Sequence, residues 1–259
     1  MAQERSSTTG QRIRRKAEWL RLYLQRIHWL YQMVMLARSR RVPSLLVRRN
    51  STKIVIEAFP RSSNSFAVRL FQQCNPEIGY HEISHHSHNY SNVYQAVRYG
   101  IPALVIVRNP IDAIASNMVA YGDQSEEMLQ ILVKKYVDFY KGVEASREHI
   151  VLASFDDVVE GRFKETTRRL NQRFGTAFNE NFDEKEMAER ARQVILERSP
   201  NRHQSSRVPI PNAARAALYD RIKPWVSASP PREPAVRVYE RITSHDASGF
   251  VAQLHQGRA

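Results

Sequence analysis

Three short stretches carry the residue types that handle anions and protons. The first, FPRSSNSF at residues 59–66, follows the apolar run KIVIE and precedes a helical pattern. A strand, a short polar loop and a helix bind anions well, because backbone N–H groups and the helix dipole converge on the loop. Arg61 adds a guanidinium at that point, and Ser62, Ser63, Asn64 and Ser65 add small hydrogen-bonding side chains. The loop is too short to wrap the β- and γ-phosphates of a nucleotide with Mg²⁺, and it lacks the Gly-Lys-Ser/Thr ending which that chemistry uses. A single phosphate with an anionic leaving group suits it better. A Ser-rich helix cap gives similar letters with no ligand, so the loop takes its meaning from its companions.

The second stretch, VIVRNPIDAIAS at residues 105–116, ends a buried run at Arg108 and carries Ser116 into the following helix. Arginine forks onto phosphate oxygens, and a serine hydroxyl from the same junction adds a donor. A plain Arg108–Asp112 ion pair is the competing explanation. The third stretch, SHHSHN at residues 84–89, holds His85, His86 and His88. Neutral imidazole can take a proton from an alcohol. Zinc ligation competes. Against it, adjacent His85 and His86 should point apart on a strand, and no Asp, Cys or distant His motif completes a site, so no metal is expected.

In this order, with FDDVV following at residues 155–159, the three stretches resemble the P-loop-like sulfotransferase family in a divergent, bacterial-type form, over roughly residues 53–160. The resemblance implies a sulfuryl group moved from 3′-phosphoadenosine 5′-phosphosulfate (PAPS), the co-substrate, to an acceptor hydroxyl on a glycan, a lipid-linked group or a small alcohol. It implies that Arg61, Ser62, Ser63, Asn64 and Ser65 hold the 5′-phosphosulfate, Arg61 also acting on the leaving group. Ser63 stands where that family usually has glycine. Arg108 and Ser116 map onto the family's 3′-phosphate signature. Its general base lies a little over twenty residues before that arginine, which favours His86, with His88 next. A carboxy-terminal donor contact would fall to Arg207 or Arg202. A phosphate-transferring small-molecule kinase is the alternative enzyme, and an inactive member serving as a basic membrane or nucleic-acid adaptor is the non-enzymatic one.

The elements that must position these residues read as α/β, a mainly parallel sheet flanked by helices. KIVIEAF, YHEIS, ALVIVRN and HIVLASF are the expected strands. SFAVRLFQQC, NVYQAVRYG, PIDAIASNMVAYG and SEEMLQILVKKYVDFYKGVEAS have helical spacing, with Pro110 in a first turn, Gly100 and Gly122 as stops and Ser125 as a cap. VVEGRFKETTRRLNQRFG gives a turn and a further helix.

Charge is distributed unevenly. The chain has 259 residues and a formal net charge of +13, yet residues 1–50 alone hold twelve Lys/Arg against two Glu. That segment is expected to be a basic amphipathic extension, and residues 51–259 the sulfotransferase-like domain. Within residues 12–41 the apolar stripe Trp19, Leu20, Tyr23, Leu24, Ile27, Leu30, Tyr31, Val34 and Met35 predicts a helix. Its basic residues argue against a bilayer span. They leave packing on the domain or lying on an anionic membrane surface, with nucleic acid disfavoured. A single cysteine, Cys74, and the absence of a signal-peptide pattern fit a cytoplasmic protein, or one peripheral at the inner face of the membrane.

Overall fold

A computed structural model describes residues 8–197 and 213–256. Strands β1 (Ile54–Ala58), β2 (Ile83–His85), β3 (Ala103–Val107) and β4 (Val151–Ser154) form one sheet in the order β2-β1-β3-β4. Every pairing is parallel: Val55 lies opposite Ser84 on one side and Ala103 on the other, and Leu104 opposite Val151. Such a sheet needs cover on both faces, which explains why its strands read as nearly unbroken apolar runs. Tyr80–Glu82, expected to open the second strand, is instead a 3₁₀ turn leading into it.

The covering helices follow the strands in turn. They are α3 (Asn64–Cys74), α4 (Tyr90–Tyr99), α5 (Pro110–Tyr121), α6 (Glu126–Ala145), α7 (Phe155–Val159), α8 (Phe163–Phe174), α9 (Glu184–Glu197), α10 (Ala213–Ala228) and α11 (Glu233–Gln256), counted after two amino-terminal helices. Side chains alternate across each strand. Ile54, Ile56, Leu104 and Ile106 meet α3, α8 and α9, whereas Val55, Val105 and Val107 meet α4, α5, α6, α10 and α11. Glu57 falls on the second face with no exposure. Stops and caps sit where expected: Pro110 opens α5, Gly122 ends it in the left-handed region at φ 65°, and the Ser125 hydroxyl accepts from the Met128 N–H.

Chain order and sheet order part at β1. The chain steps to β2 on one side and then to β3 on the other. The connections that follow β1 and β3 therefore run towards opposite edges of the sheet, and open α/β sheets bind ligands at such a switch point, outside the carboxyl ends of the strands.

The amino-terminal segment is two helices, α1 (Thr9–Arg26) and α2 (His28–Ser39), broken at Ile27. On α1 the expected stripe is not the buried face, although Met35 of that stripe is buried on α2. Arg15, Glu18 and Leu22, one helical turn apart, are buried, while Leu20 and Tyr23 are exposed. The reason is electrostatic. Arg15 bonds Asp123 at 2.8 Å and Glu127 at 2.6 Å, and Glu18 pairs with Lys135. Arg14 donates to the Tyr121 carbonyl at 2.6 Å. These bonds seat α1 on the α5–α6 turn, so specific ionic partners decide which face is covered. Among the described residues no helix is long and apolar enough to cross a membrane.

Candidate functional site

The loops leaving β1 and β3 are tied together. Arg108 Nη1 donates to the Arg61 carbonyl at 2.6 Å, and Asn117 Nδ2 donates to the Pro60 carbonyl at 2.8 Å. Arg61 Nε reaches Ser116 Oγ at 3.4 Å. The residues read from two separate stretches thus meet on one cavity of about 400 Å³, lined also by Asn64, Ser65, His86 and His88. Arg108 does not form the plain pair with Asp112. That carboxylate is bonded by Lys223 at 2.7 Å and by the Tyr219 hydroxyl at 2.6 Å, while the Arg108 guanidinium stacks 4.1 Å from the Phe155 ring centroid.

Backbone and charge both suit an anion. Arg61 and Ser63 adopt left-handed φ of 67° and 63°, the alternation that turns successive N–H groups into a concave nest. Ser63 therefore holds a backbone conformation that glycine adopts at lower cost. No side chain caps the first turn of α3, which leaves its leading N–H groups directed at the cavity. Asn64, 4% exposed, has neither amide atom hydrogen-bonded among the described residues. Burial, together with the like charges of Arg215 and Arg108, pulls the Arg61 guanidinium down to about 10. A phosphate or sulfate there would relieve that crowding and give the Asn64 amide a partner, so the residues fit a phosphate-rich ligand.

The histidines sit on a second turn. β2 ends at His85, and His86 and His88 take left-handed φ of 61° and 49°. Strand alternation stops there, so His85 and His86 do not point apart. Their ring centroids lie 4.5 Å from each other with the two Nδ1 atoms hydrogen-bonded. His86 Nε2 lies 2.8 Å from Ser65 Oγ in the loop after β1. His88 Nδ1 donates to the Ala58 carbonyl at 2.8 Å, which fixes that tautomer and leaves Nε2 with its lone pair. Burial holds all three imidazoles neutral: His88 is lowered to about 4, His85 to about 3, and His86 well below its ordinary value, with neighbouring cations and imidazoles adding to the effect. An imidazole limb at pH 6–7.5, natural for an exposed histidine, therefore moves to lower pH. Among the described residues no group of three or more His, Cys, Asp or Glu could hold a metal ion.

Glu57 builds this turn, and the sequence reading passed over it. Its carboxylate accepts from the Ser87 N–H at 2.9 Å, the His88 N–H at 3.2 Å and Asn92 Nδ2 at 3.2 Å. Burial pushes it up to about 7 despite those donors. The signal was the one acidic residue inside KIVIEAF, a buried acid with no sequence-local partner. Arg215 and Tyr219 of α10 and Phe155 of α7 also line the cavity and were missed. Arg202 and Arg207 lie outside the described residues.

No protein-family model and no curated protein matches the chain. Among solved structures it is similar to the crystal structure of a mouse sulfotransferase, SULT7A1, complexed with PAP. The match is 14% identical with a TM-score of 0.47, covering 87% of this chain and 94% of that chain.

Proposed function

We propose that the protein is a PAPS-dependent sulfotransferase that sulfates an acceptor hydroxyl without a metal. The observation that carries this reading is the convergence of Arg61, Arg108 and Ser116 on one cavity, beside a buried Asn64 amide that has no partner among the described residues. PAPS would supply an activated sulfuryl group with a phosphate leaving group. The nest at residues 61–65 and the first turn of α3 hold the 5′-phosphosulfate, and Arg61 balances charge growing on the leaving oxygen. Arg108 and Ser116 take the 3′-phosphate, with Arg215 close enough to press electrostatically on Arg61.

His86 Nε2, already at hydrogen-bond distance from the anion loop, takes the acceptor proton. For that tautomer its Nδ1–H donates to His85, and Ser65 donates to Nε2. His88 faces the same cavity with a lone pair on Nε2 and is the second candidate. The test is calorimetric binding of adenosine 3′,5′-bisphosphate against AMP and ATP, with and without Mg²⁺. The bisphosphate should bind about tenfold or more tightly than AMP, and independently of Mg²⁺. A preference for Mg-ATP would favour the kinase alternative, and equal affinity for AMP would remove the 3′-phosphate assignment.

Exposed Ile13, Leu20 and Tyr23 on a basic helix suit a peripheral site at an anionic, cytoplasmic membrane face. Co-sedimentation with anionic vesicles, reversed by salt, tests that placement. Equal recovery with neutral vesicles would remove it.

A further inference from the structure

A second cavity, about 480 Å³, adjoins the first and shares Pro60, His86 and His88 as walls. The amino-terminal helix pair and α6 supply much of the rest. Leu22, Leu24, Val34, Phe59 and Phe139 make the lining substantially apolar. Four cations also line it, Arg21, Arg38, Lys135 and Lys141, against one carboxylate, Asp138. Most of these charges are already answered. Asp138 is bonded by Lys134 at 3.1 Å, and Arg21 and Lys135 both reach Glu18. Arg38 and Lys141 take part in no ion pair among the described residues.

We propose that this cavity is the acceptor site, and that it selects a hydroxyl-bearing amphiphile with an acidic group, the acid held by Arg38 and Lys141. The hydroxyl belongs at the shared wall, where the imidazoles stand, and the apolar body lies along Leu22, Leu24 and Phe139. The assignment of the hydroxyl rests on the sulfuryl-transfer reading, whereas the demand for an acid rests on the charge balance of this cavity alone. A neutral alcohol would leave the exposed Arg38 and Lys141 to water, whereas a carboxylate or phosphate would give them a charge-assisted partner. On this view α1 and α2 are part of the acceptor site as well as a basic appendage, because they supply Arg21, Arg38 and the apolar Leu22, Leu24 and Val34.

The experiment uses the full chain, with adenosine 3′,5′-bisphosphate binding measured separately. Two probe pairs are titrated, each differing only in charge: 4-hydroxyphenylacetate with its amide, and 12-hydroxydodecanoate with its amide. The ring pair and the chain pair distinguish a free small acid from a lipid-like one. In at least one pair the acid should bind about tenfold more tightly than the amide. The exposed double reversal Arg38→Glu with Lys141→Glu should abolish or invert that preference while bisphosphate affinity stays within about twofold. Equal binding of acid and amide in both pairs, binding of none of the four probes, or a preference that survives the double reversal each overturns the proposal. If the bisphosphate fails to bind while the acid preference holds and is lost on reversal, the donor reading falls and the anionic site stands.

Discussion

Two polar turns stand side by side at the carboxyl ends of β1 and β2, and both use left-handed residues that are not glycine. They differ in what fills them. The turn at residues 85–88 encloses the protein's own carboxylate: Glu57 accepts from the Ser87 and His88 N–H groups. Among the described residues the turn at residues 60–64 encloses no such carboxylate, and the buried Asn64 amide inside it has no partner. A turn satisfied from within is a fixed platform, whereas one left polar and buried is preorganised for something brought from outside. On the proposed reading, the first turn holds the imidazoles and the second receives the donor.

The contrast is easiest to break at the platform. His86→Ala should lower turnover by about 10²–10⁴-fold, the range for losing general-base assistance, while adenosine 3′,5′-bisphosphate affinity stays nearly unchanged. Assayed beside it, His88→Ala shows which imidazole is the base, and full activity in both variants would end the base assignment. On the open side, Arg108→Ala should weaken bisphosphate binding by about 2–4 kcal/mol and AMP binding much less. Equal losses for the two nucleotides in calorimetry would count against a 3′-phosphate contact.

Glu57→Gln tests whether the filled turn is only a platform. A single amide oxygen cannot replace both carboxylate oxygens, so the imidazoles should drift. Turnover should fall about tenfold to a hundredfold, with bisphosphate affinity unaffected. A linkage effect accompanies this. Native Glu57, at about 7 against an ordinary 4.5, holds its proton more tightly than the unfolded chain does. Wild-type stability relative to the Gln variant should therefore decline as pH rises from about 4.5 to about 7, by up to about 3 kcal/mol. A flat difference between the two denaturation curves would place the carboxylate in a wetter setting.

The smallest expected effect is a missing one. For the donor, kcat/KM reports groups on the free enzyme. With His88 near 4 and His86 also lowered by burial and by His85, His88 and Arg69, no imidazole limb should fall between pH 6 and 7.5. In Glu57→Gln, where the group near 7 is gone, kcat/KM should hold nearly level across that range. The imidazoles charge only at lower pH, and the acid limb belongs there. A limb centred near pH 6.5 that persists in Glu57→Gln would mean that the histidine turn is solvated.

Strands and caps were legible because they rest on local chemistry. Three apolar runs ended in turn residues, and Pro110, Gly122 and Ser125 can each do little else where they stand. The loop between β1 and α3 was legible for the same reason, since Arg61 through Ser65 are contiguous. What escaped was non-local. The turn at His86 and His88 is set by Glu57, some thirty residues earlier, so alternation along the strand gave the wrong geometry for His85 and His86. Arg215 reaches the cavity from a helix near the carboxyl end, with no motif to announce it. The covered face of α1 was misjudged because apolar periodicity ignores partners, and Asp123, Glu127 and Lys135 outweighed Leu20 and Tyr23.

The wholly parallel sheet also governs when the site can exist during folding. No two of its strands form a hairpin, and β1 gains its second neighbour only when Val55 finds Ala103, across an intervening strand and two helices. Such high-contact-order pairings form late, after the loop-closure entropy has been overcome. Arg61 and Arg108 ride on the two strands concerned, so their crevice assembles with the β1–β3 ladder and not before. Recovery of bisphosphate binding in a refolding experiment should consequently lag behind recovery of the far-ultraviolet helical signal. Simultaneous recovery would mean that the loop reaches its working shape without the sheet beneath it.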